Sequence, residues 1–287
     1  MDVGIGLPNA VRGVDRQAII DWARRAEEAG FSALGTIDRI VYSSYESLTT
    51  LAVAAAVTER VRLMTDILIA PLRSNTALFA QQAATVDSLS GGRLVLGMAV
   101  GGRPDDFEAS GIPFHERGAR FEAQLDELKR LWQGEKRGLA GRVGPPPARE
   151  GGPQVIIGGT VDAAFRRAAR YGDGWTQGGG TPDALREGRA KLEAAWREQG
   201  REGTPRVVAL FYFALGDDGP DKARRGVGDY YGFLGDYAEQ IVASTATSED
   251  MVRQYLDAFR DAGADEVICF PASTDLDDVE RLAQAAL

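Results

Sequence analysis

One segment of the chain is the most informative about its architecture: Leu89-Ser90-Gly91-Gly92-Arg93-Leu94-Val95-Leu96-Gly97-Met98-Ala99-Val100-Gly101-Gly102-Arg103-Pro104-Asp105-Asp106-Phe107-Glu108. A helix is expected to end near Ser90, because the two glycines that follow allow a left-handed cap. The run 94–100 is short and apolar without strict alternation, which is typical of a strand buried on both faces. The chain leaves this strand through Gly101 and Gly102 into a polar loop. An α/β barrel builds its active site where a buried strand opens into such a loop.

The same unit of a short apolar strand followed by a helix repeats outward from this stretch. Strands are predicted at residues 3–7, 31–37, 61–70, 94–100, 155–157, 174–177, 206–215 and 266–270. Alternation of this kind predicts a parallel sheet, and eight units predict its closure into a (β/α)8 TIM barrel, with an open doubly wound sheet as the alternative. The Gly- and Pro-rich residues 134–153 are interpreted as a short insertion after the fourth helix. The whole chain, 1–287, is expected to form one domain.

Composition and charge argue against several classes of protein. The formal net charge of −9 argues against binding nucleic acid, which requires a cationic face. No apolar run is long enough to cross a bilayer, so no membrane contact is expected. The first residues enter a strand-like run at once, which leaves no room for a signal peptide. Cys269 is the single cysteine, so no internal disulfide forms, and a cytoplasmic location is expected.

The order of three motifs carries a family resemblance. Ser90-Gly91-Gly92-Arg93, then a Leu-Gly strand, then the acid-rich loop at 105–108 resembles the bacterial luciferase-like family of flavin- and deazaflavin-dependent oxidoreductases. The likeness extends more loosely from residue 3 to residue 270. It implies a TIM barrel and a reduced flavin-type cofactor, either FMN or coenzyme F420. The implied reaction is hydride transfer by F420, or monooxygenation with FMN supplied by a partner reductase, on a small-molecule substrate.

Asp66 is the most unusual residue of the predicted strands. It lies in the apolar run 63–69, where an ionised carboxylate without a partner is costly to bury. One interpretation is a buried acid satisfied by neighbouring amides or by an arginine. The other is that Asp66 lines the cofactor ring. The resemblance implies a non-prolyl cis peptide against the face of that ring, which corresponds here to the Asp66–Ile67 bond.

Asp38 and Arg39 end the second predicted strand. Many members of the resembled family keep an acid here, often followed by histidine, and Arg39 stands in place of that histidine. Asp38 is interpreted either as a loop cap or ion pair with Arg39, or as a hydrogen-bonding partner and proton donor to cofactor or substrate. The candidate catalytic residues are therefore Asp38, Arg39 and Asp66.

Two glycine turns are candidate phosphate sites. The turns Gly158-Gly159-Thr160 and Gly178-Gly179-Gly180 lie between a strand and a helix, where free amides and the helix dipole suit a phosphate. The resemblance also implies cofactor phosphate binding there, although many barrels bind phosphate after strands seven and eight.

Four more residues complete the predicted site. Met98 and Gly101 are expected beside the cofactor ring, with Gly101 allowing its close approach. Arg103 and Asp105 are expected either to hold substrate or to belong to a solvated loop.

Several other barrel chemistries are disfavoured. A Schiff-base lyase needs a lysine at a strand end, and the four lysines fall in helices or loops. With His115 the only histidine, no metal site is expected. A hydrolase using Asp38 and Asp66, or a barrel that binds a flavin or another small ligand without catalysis, remains an alternative. Alanine-rich helices at 51–57 and 76–89 predict a homodimer.

Overall fold

The computed structural model describes residues 1–139 and 141–287. Eight strands form a closed barrel in which every neighbouring pair is parallel, each strand lies beside its neighbours in sequence, and the eighth pairs with the first. The predicted (β/α)8 barrel is thus confirmed. The strands are β1 (Asp2–Gly6), β2 (Ala33–Thr36), β3 (Arg62–Ile69), β4 (Leu94–Ala99), β5 (Gln154–Gly158), β6 (Gly174–Thr176), β7 (Arg206–Phe213) and β8 (Glu266–Pro271).

Helices surround the barrel. Their starts follow local capping: the Asp15 carboxylate accepts a hydrogen bond from the Ala18 amide, and Gly30 ends the same helix at φ +96°. The helices are α1 (Arg16–Ala29), α2 (Ser47–Ala55), α3 (Thr76–Leu89), α4 (Pro104–Ala109), α5 (Arg117–Trp132), α6 (Asp162–Tyr171), α7 (Pro182–Glu198), α8 (Gly219–Tyr231), α9 (Asp236–Ala243), α10 (Glu249–Ala262) and α11 (Asp277–Ala286). Among the described residues, none of these helices combines the length and the hydropathy that a membrane span requires.

Two apolar cores hold the barrel together. The larger lies between strands and helices, and the smaller fills the barrel interior with side chains such as Met64, Ile156 and Phe270. A charged cluster lies at the amino end, where buried Glu266 accepts hydrogen bonds from Arg62 and Arg206 at 2.6 and 2.7 Å. Interior packing and this cluster close the amino end, so a ligand site belongs at the carboxyl end of the strands.

Two segments differ from the sequence prediction. The expected loop after β4 contains α4, since Pro104 suits the first helical position and Asp105 and Asp106 lie in its first turn. The sequence predicts one helical region over roughly 220–243, but the structure divides it into α8, a 3₁₀ turn (Gly232–Leu234) and α9, with Gly235 at φ +58° between the last two.

The insertion after α5 lies at the amino end of the barrel. The Ala148 amide donates to the Asp87 carboxylate in the last turn of α3 at 2.9 Å, and Arg149 pairs with Asp173 just before β6 at 3.2 Å. Two short antiparallel strands, Lys136–Arg137 and Gly141–Arg142, form a hairpin within it. This segment therefore does not cover the carboxyl end.

Candidate functional site

Asp66 lies inside the barrel, near the carboxyl end of β3. Its Oδ1 accepts a hydrogen bond from the Thr176 hydroxyl in β6 at 2.9 Å, and because β3 and β6 are not neighbours, this bond crosses the barrel interior. Its Oδ2 is buried without a hydrogen-bond partner among the described residues. Burial raises the pKa of Asp66 to about 7, although the Thr176 hydrogen bond opposes that shift. The site thus contains a carboxyl group with one free oxygen.

The Asp66–Ile67 peptide bond is cis, as predicted. Ile67 is partly exposed, and a Cβ built on Gly158 in β5 would lie 2.2 Å from the Ile67 Cδ1. The Ile67 side chain therefore fills the space beside Gly158. This packing brings the ends of β3 and β5 together at the carboxyl end of the barrel, which is called the mouth below.

Thr176 is a site residue that the sequence reasoning missed. Its hydroxyl oxygen also accepts a hydrogen bond from the Gly178 amide at 3.2 Å, which links Asp66 to the turn after β6. The predicted amide or arginine partner of Asp66 is wrong, because the partner is this hydroxyl. Threonine is common in strands, so the sequence carried no signal for the role.

Asp38 pairs with Arg73, and the interpretation of an ion pair with Arg39 is wrong. Both Asp38 oxygens accept hydrogen bonds from the Arg73 guanidinium, and Oδ2 also accepts one from the Ile69 amide at 2.9 Å. Burial lowers the pKa of Arg73, but the Asp38 and Glu46 carboxylates outweigh it and raise that pKa overall. Asp38 therefore anchors the segment after β3, and no hydrogen bond joins it to Asp66 within the described chain.

Arg39 and Arg103 lie against aromatic rings from α8 and the turn after it. Arg39 donates to the Tyr230 carbonyl at 3.1 Å and to the Asp105 carboxylate at 3.3 Å, with its side chain 7% exposed. The Arg103 Cζ lies 4.5 Å from the ring centres of both Tyr230 and Phe233. Asp105 is thus a partner of Arg39, while Arg103 is held by aromatic faces.

The two glycine turns lie side by side, because Gly158 in β5 is in register with Thr176 in β6. The amides of Thr160, Gly179 and Gly180 donate no hydrogen bond to any part of the chain that the structure describes. A Cβ on Gly178 or Gly179 would meet nothing within 4 Å, so the turn after β6 is open, whereas a Cβ on Gly159 would lie 3.0 Å from the Ala164 Cβ. Free amides ahead of α6 and α7 are suited to an anion.

Met98 and Gly101 have different surroundings at the end of β4. Met98 is fully buried in the larger core, which argues against contact between its side chain and a ligand. Gly101 has φ +76°, and a Cβ there would lie 2.4 Å from the Ile69 Cγ2. Only glycine fits this position.

Two cavities open across the barrel from the glycine turns, and no sequence pattern predicts either. The outer one, of about 380 Å³, is lined by charged and polar groups such as Arg12, Lys222 and Asp229. The inner one, of about 20 Å³, is lined mainly by apolar groups such as Leu7, Ile37 and Phe270, together with Tyr212 and Tyr230. Val11, Gly226 and Ala272 line both cavities.

Comparisons with known proteins agree with this fold. An uncharacterised protein of Mycobacterium bovis is 32% identical over 210 residues, covering 63% of this chain and 72% of the relative. A monooxygenase from Streptomyces bottropensis superposes with a TM-score of 0.79 at 23% identity, covering 100% and 98% of the two chains. An F420-dependent secondary alcohol dehydrogenase in complex with an F420–acetone adduct superposes with a TM-score of 0.81 at 17% identity, covering 99% and 97%.

The two structural likenesses show a shared fold. A family model for luciferase-like monooxygenases matches residues 1–266, nearly the whole chain. The chain therefore belongs to the luciferase-like monooxygenase family.

Proposed function

We propose that this protein is an oxidoreductase that binds a reduced flavin-type cofactor, FMN or F420, at the carboxyl end of the barrel. The observation that carries the proposal is Asp66, a buried carboxyl whose Oδ2 has no partner in the described part of the chain and whose Oδ1 is linked through Thr176 to the open turn after β6. Burying a polar atom without a partner is costly, so the Oδ2 atom near the carboxyl end of β3 supports a bound ligand there. The substrate is a small organic molecule.

The residues at the mouth fit such a cofactor. The free amides of Thr160, Gly179 and Gly180, with the other glycines of the two turns (Gly158, Gly159 and Gly178), would hold its phosphate without any lysine. Asp66, Ile67 and Gly101 would contact its ring. Asp38, fixed by Arg73, and Arg39 would position the loops around it.

Asp66 is the proposed proton donor and acceptor. When bound, the reduced cofactor supplies a hydride for transfer or two electrons for reaction with dioxygen. The Thr176 hydroxyl fixes Oδ1, which leaves Oδ2 to hold or release a proton. With a pKa of about 7, Asp66 has both protonation states populated near neutral pH, as general acid–base catalysis requires.

The two structural neighbours support one variant of the proposal each. One is a monooxygenase, and the other is bound to an F420–acetone adduct. In the monooxygenase variant, a separate flavin reductase would supply reduced FMN, and in the other variant an F420 reductase would supply reduced F420. We propose that the enzyme works in the cytoplasm, where its single cysteine, Cys269, stays reduced.

Absorbance titration of the purified protein with FMN and with F420 tests this proposal. We expect saturable binding of one of them. Gly179→Asp should weaken that binding at least tenfold, because a carboxylate would face the phosphate, and the uncharged Gly179→Asn should weaken it less. Failure of the wild-type protein to bind either cofactor would overturn the proposal.

A further inference from the structure

Two arginine side chains from different loops share one aromatic surface at the mouth. The Arg39 Cζ lies 5.6 and 4.9 Å from the ring centres of Tyr230 and Phe233, and the Arg103 Cζ lies 4.5 Å from each. Arg39 follows β2, Arg103 follows β4, and the rings follow β7. Three separate segments therefore converge to place two positive charges together.

Within residues 1–139 and 141–287, no carboxylate pairs with Arg103. Its Nη1 is buried without a hydrogen-bond partner among the described residues, and the carboxylate of nearby Asp105 is paired with Arg39 instead. Aromatic faces attract a guanidinium by about 0.5–2 kcal/mol, but they leave the N–H groups in its plane unsatisfied. The buried Nε of Arg39 likewise has no hydrogen-bond partner in the part of the chain that the structure describes. Buried N–H groups without an acceptor are costly, so these two atoms favour a hydrogen-bond acceptor, and the positive charges favour an anionic one.

The planar fork of an arginine matches a carboxylate through two parallel hydrogen bonds. A cofactor phosphate would also suit a guanidinium, but the free amides of the two glycine turns already offer phosphate a separate site. The rings of Tyr230 and Phe233, which lie against Arg103, are apolar surfaces on which an apolar group can pack beside the anion.

We propose that Arg103, assisted by Arg39, binds the carboxylate of the substrate, so that the enzyme acts on small organic acids with an apolar body. This inference rests on the proposed function and names its substrate class. Arg103 is thereby assigned as a specificity-determining residue.

Calorimetric titration with benzoate and with its neutral counterpart benzamide tests the assignment. We expect benzoate to bind in a saturable manner and benzamide at least tenfold more weakly. Arg103→Met should weaken benzoate binding at least tenfold, whereas Arg103→Lys, which keeps a point charge without the fork, should weaken it severalfold. Arg170→Met is the matched control, because Arg170 also stacks on a tyrosine, Tyr171 at 4.8 Å, at the last turn of α6.

Three results would overturn the assignment: equal binding of benzoate and benzamide, unchanged benzoate affinity in Arg103→Met, or unchanged affinity in Arg103→Lys. The lysine variant keeps the test valid should Arg103→Met fail to fold. Inorganic phosphate that binds more tightly than benzoate and competes with FMN or F420 would identify a cofactor site and also overturn it. The two proposals can fail separately. If the protein binds neither FMN nor F420 but its benzoate binding depends on Arg103, the carboxylate site is supported and the proposed function fails.

Discussion

The raised pKa of the Asp66 carboxyl makes the free energy of unfolding depend on pH. Burial raises the pKa of Asp66 from 3.8 to about 7 in the folded chain, whereas the unfolded chain keeps the ordinary value. Between about pH 4 and pH 7 the folded state therefore binds this proton more tightly than the unfolded state. The contribution of Asp66 to stability is greatest below about pH 4, falls as the pH rises through this window and is constant above about pH 7.

Asp66→Asn should remove this dependence. A shift of about three pKa units corresponds to about 4 kcal/mol as an upper bound, so the variant should gain stability relative to wild type as the pH rises from about 4 to about 7. Asparagine keeps the oxygen that accepts from Thr176. Urea unfolding at several pH values measures the difference, with Asp183→Asn on the exposed surface of α7 as control. Parallel stability curves for wild type and Asp66→Asn would contradict this expectation.

Residues of the site differ in how well the sequence predicts them. Asp66 can be identified because a carboxylate within an apolar run has an obvious physical cost. Arg73 cannot, since it lies 35 residues from Asp38 and nothing local relates the two. Thr176 cannot be identified from the sequence either, because only the barrel brings it to Asp66. Partners that only the tertiary fold brings together leave no pattern along the chain.

The structure requires glycine at some positions of its strands and turns more strongly than at others. In β4, a Cβ on Gly97 would lie 2.0 Å from the Thr65 carbonyl oxygen of β3, and a backbone atom cannot move aside. We expect Gly97→Ala to lower the free energy of unfolding by about 3 kcal/mol. Gly179→Ala, in open space after β6, should change it by less than about 0.5 kcal/mol. Urea unfolding measures the free energy of unfolding of both variants. Equal values would contradict the prediction, because β3 and β4 would then have moved apart to accept the added Cβ.

Short apolar strands predict the barrel well. All eight predicted strands exist, and their bounds differ from the prediction by at most two residues. The differences arise where competing signals overlap. Gly101 and Gly102 indicate a loop, yet Pro104 starts α4 three residues beyond the first of them. Gly235 interrupts an otherwise continuous helical pattern before α9.

The whole molecule is expected to be a homodimer through α2 and α3. Val53 in α2 is 40% exposed and Leu78 in α3 is 50% exposed, although both are apolar. Contacting helices with exposed apolar side chains form a surface that a second copy can cover. Light scattering should give a dimer for wild type and a monomer for Leu78→Asp, with Leu139→Asp in the insertion as control. A monomeric wild-type protein at micromolar concentration would contradict the prediction.

The distance between the insertion hairpin and the mouth has a practical use. The hairpin lies at the amino end, where Leu139 is completely exposed, while the proposed chemistry occurs at the other end of the strands. A fluorescent dye or surface tether attached there would leave the mouth unobstructed. Immobilised enzyme could then be monitored during turnover, with reagents flowing freely past its working face.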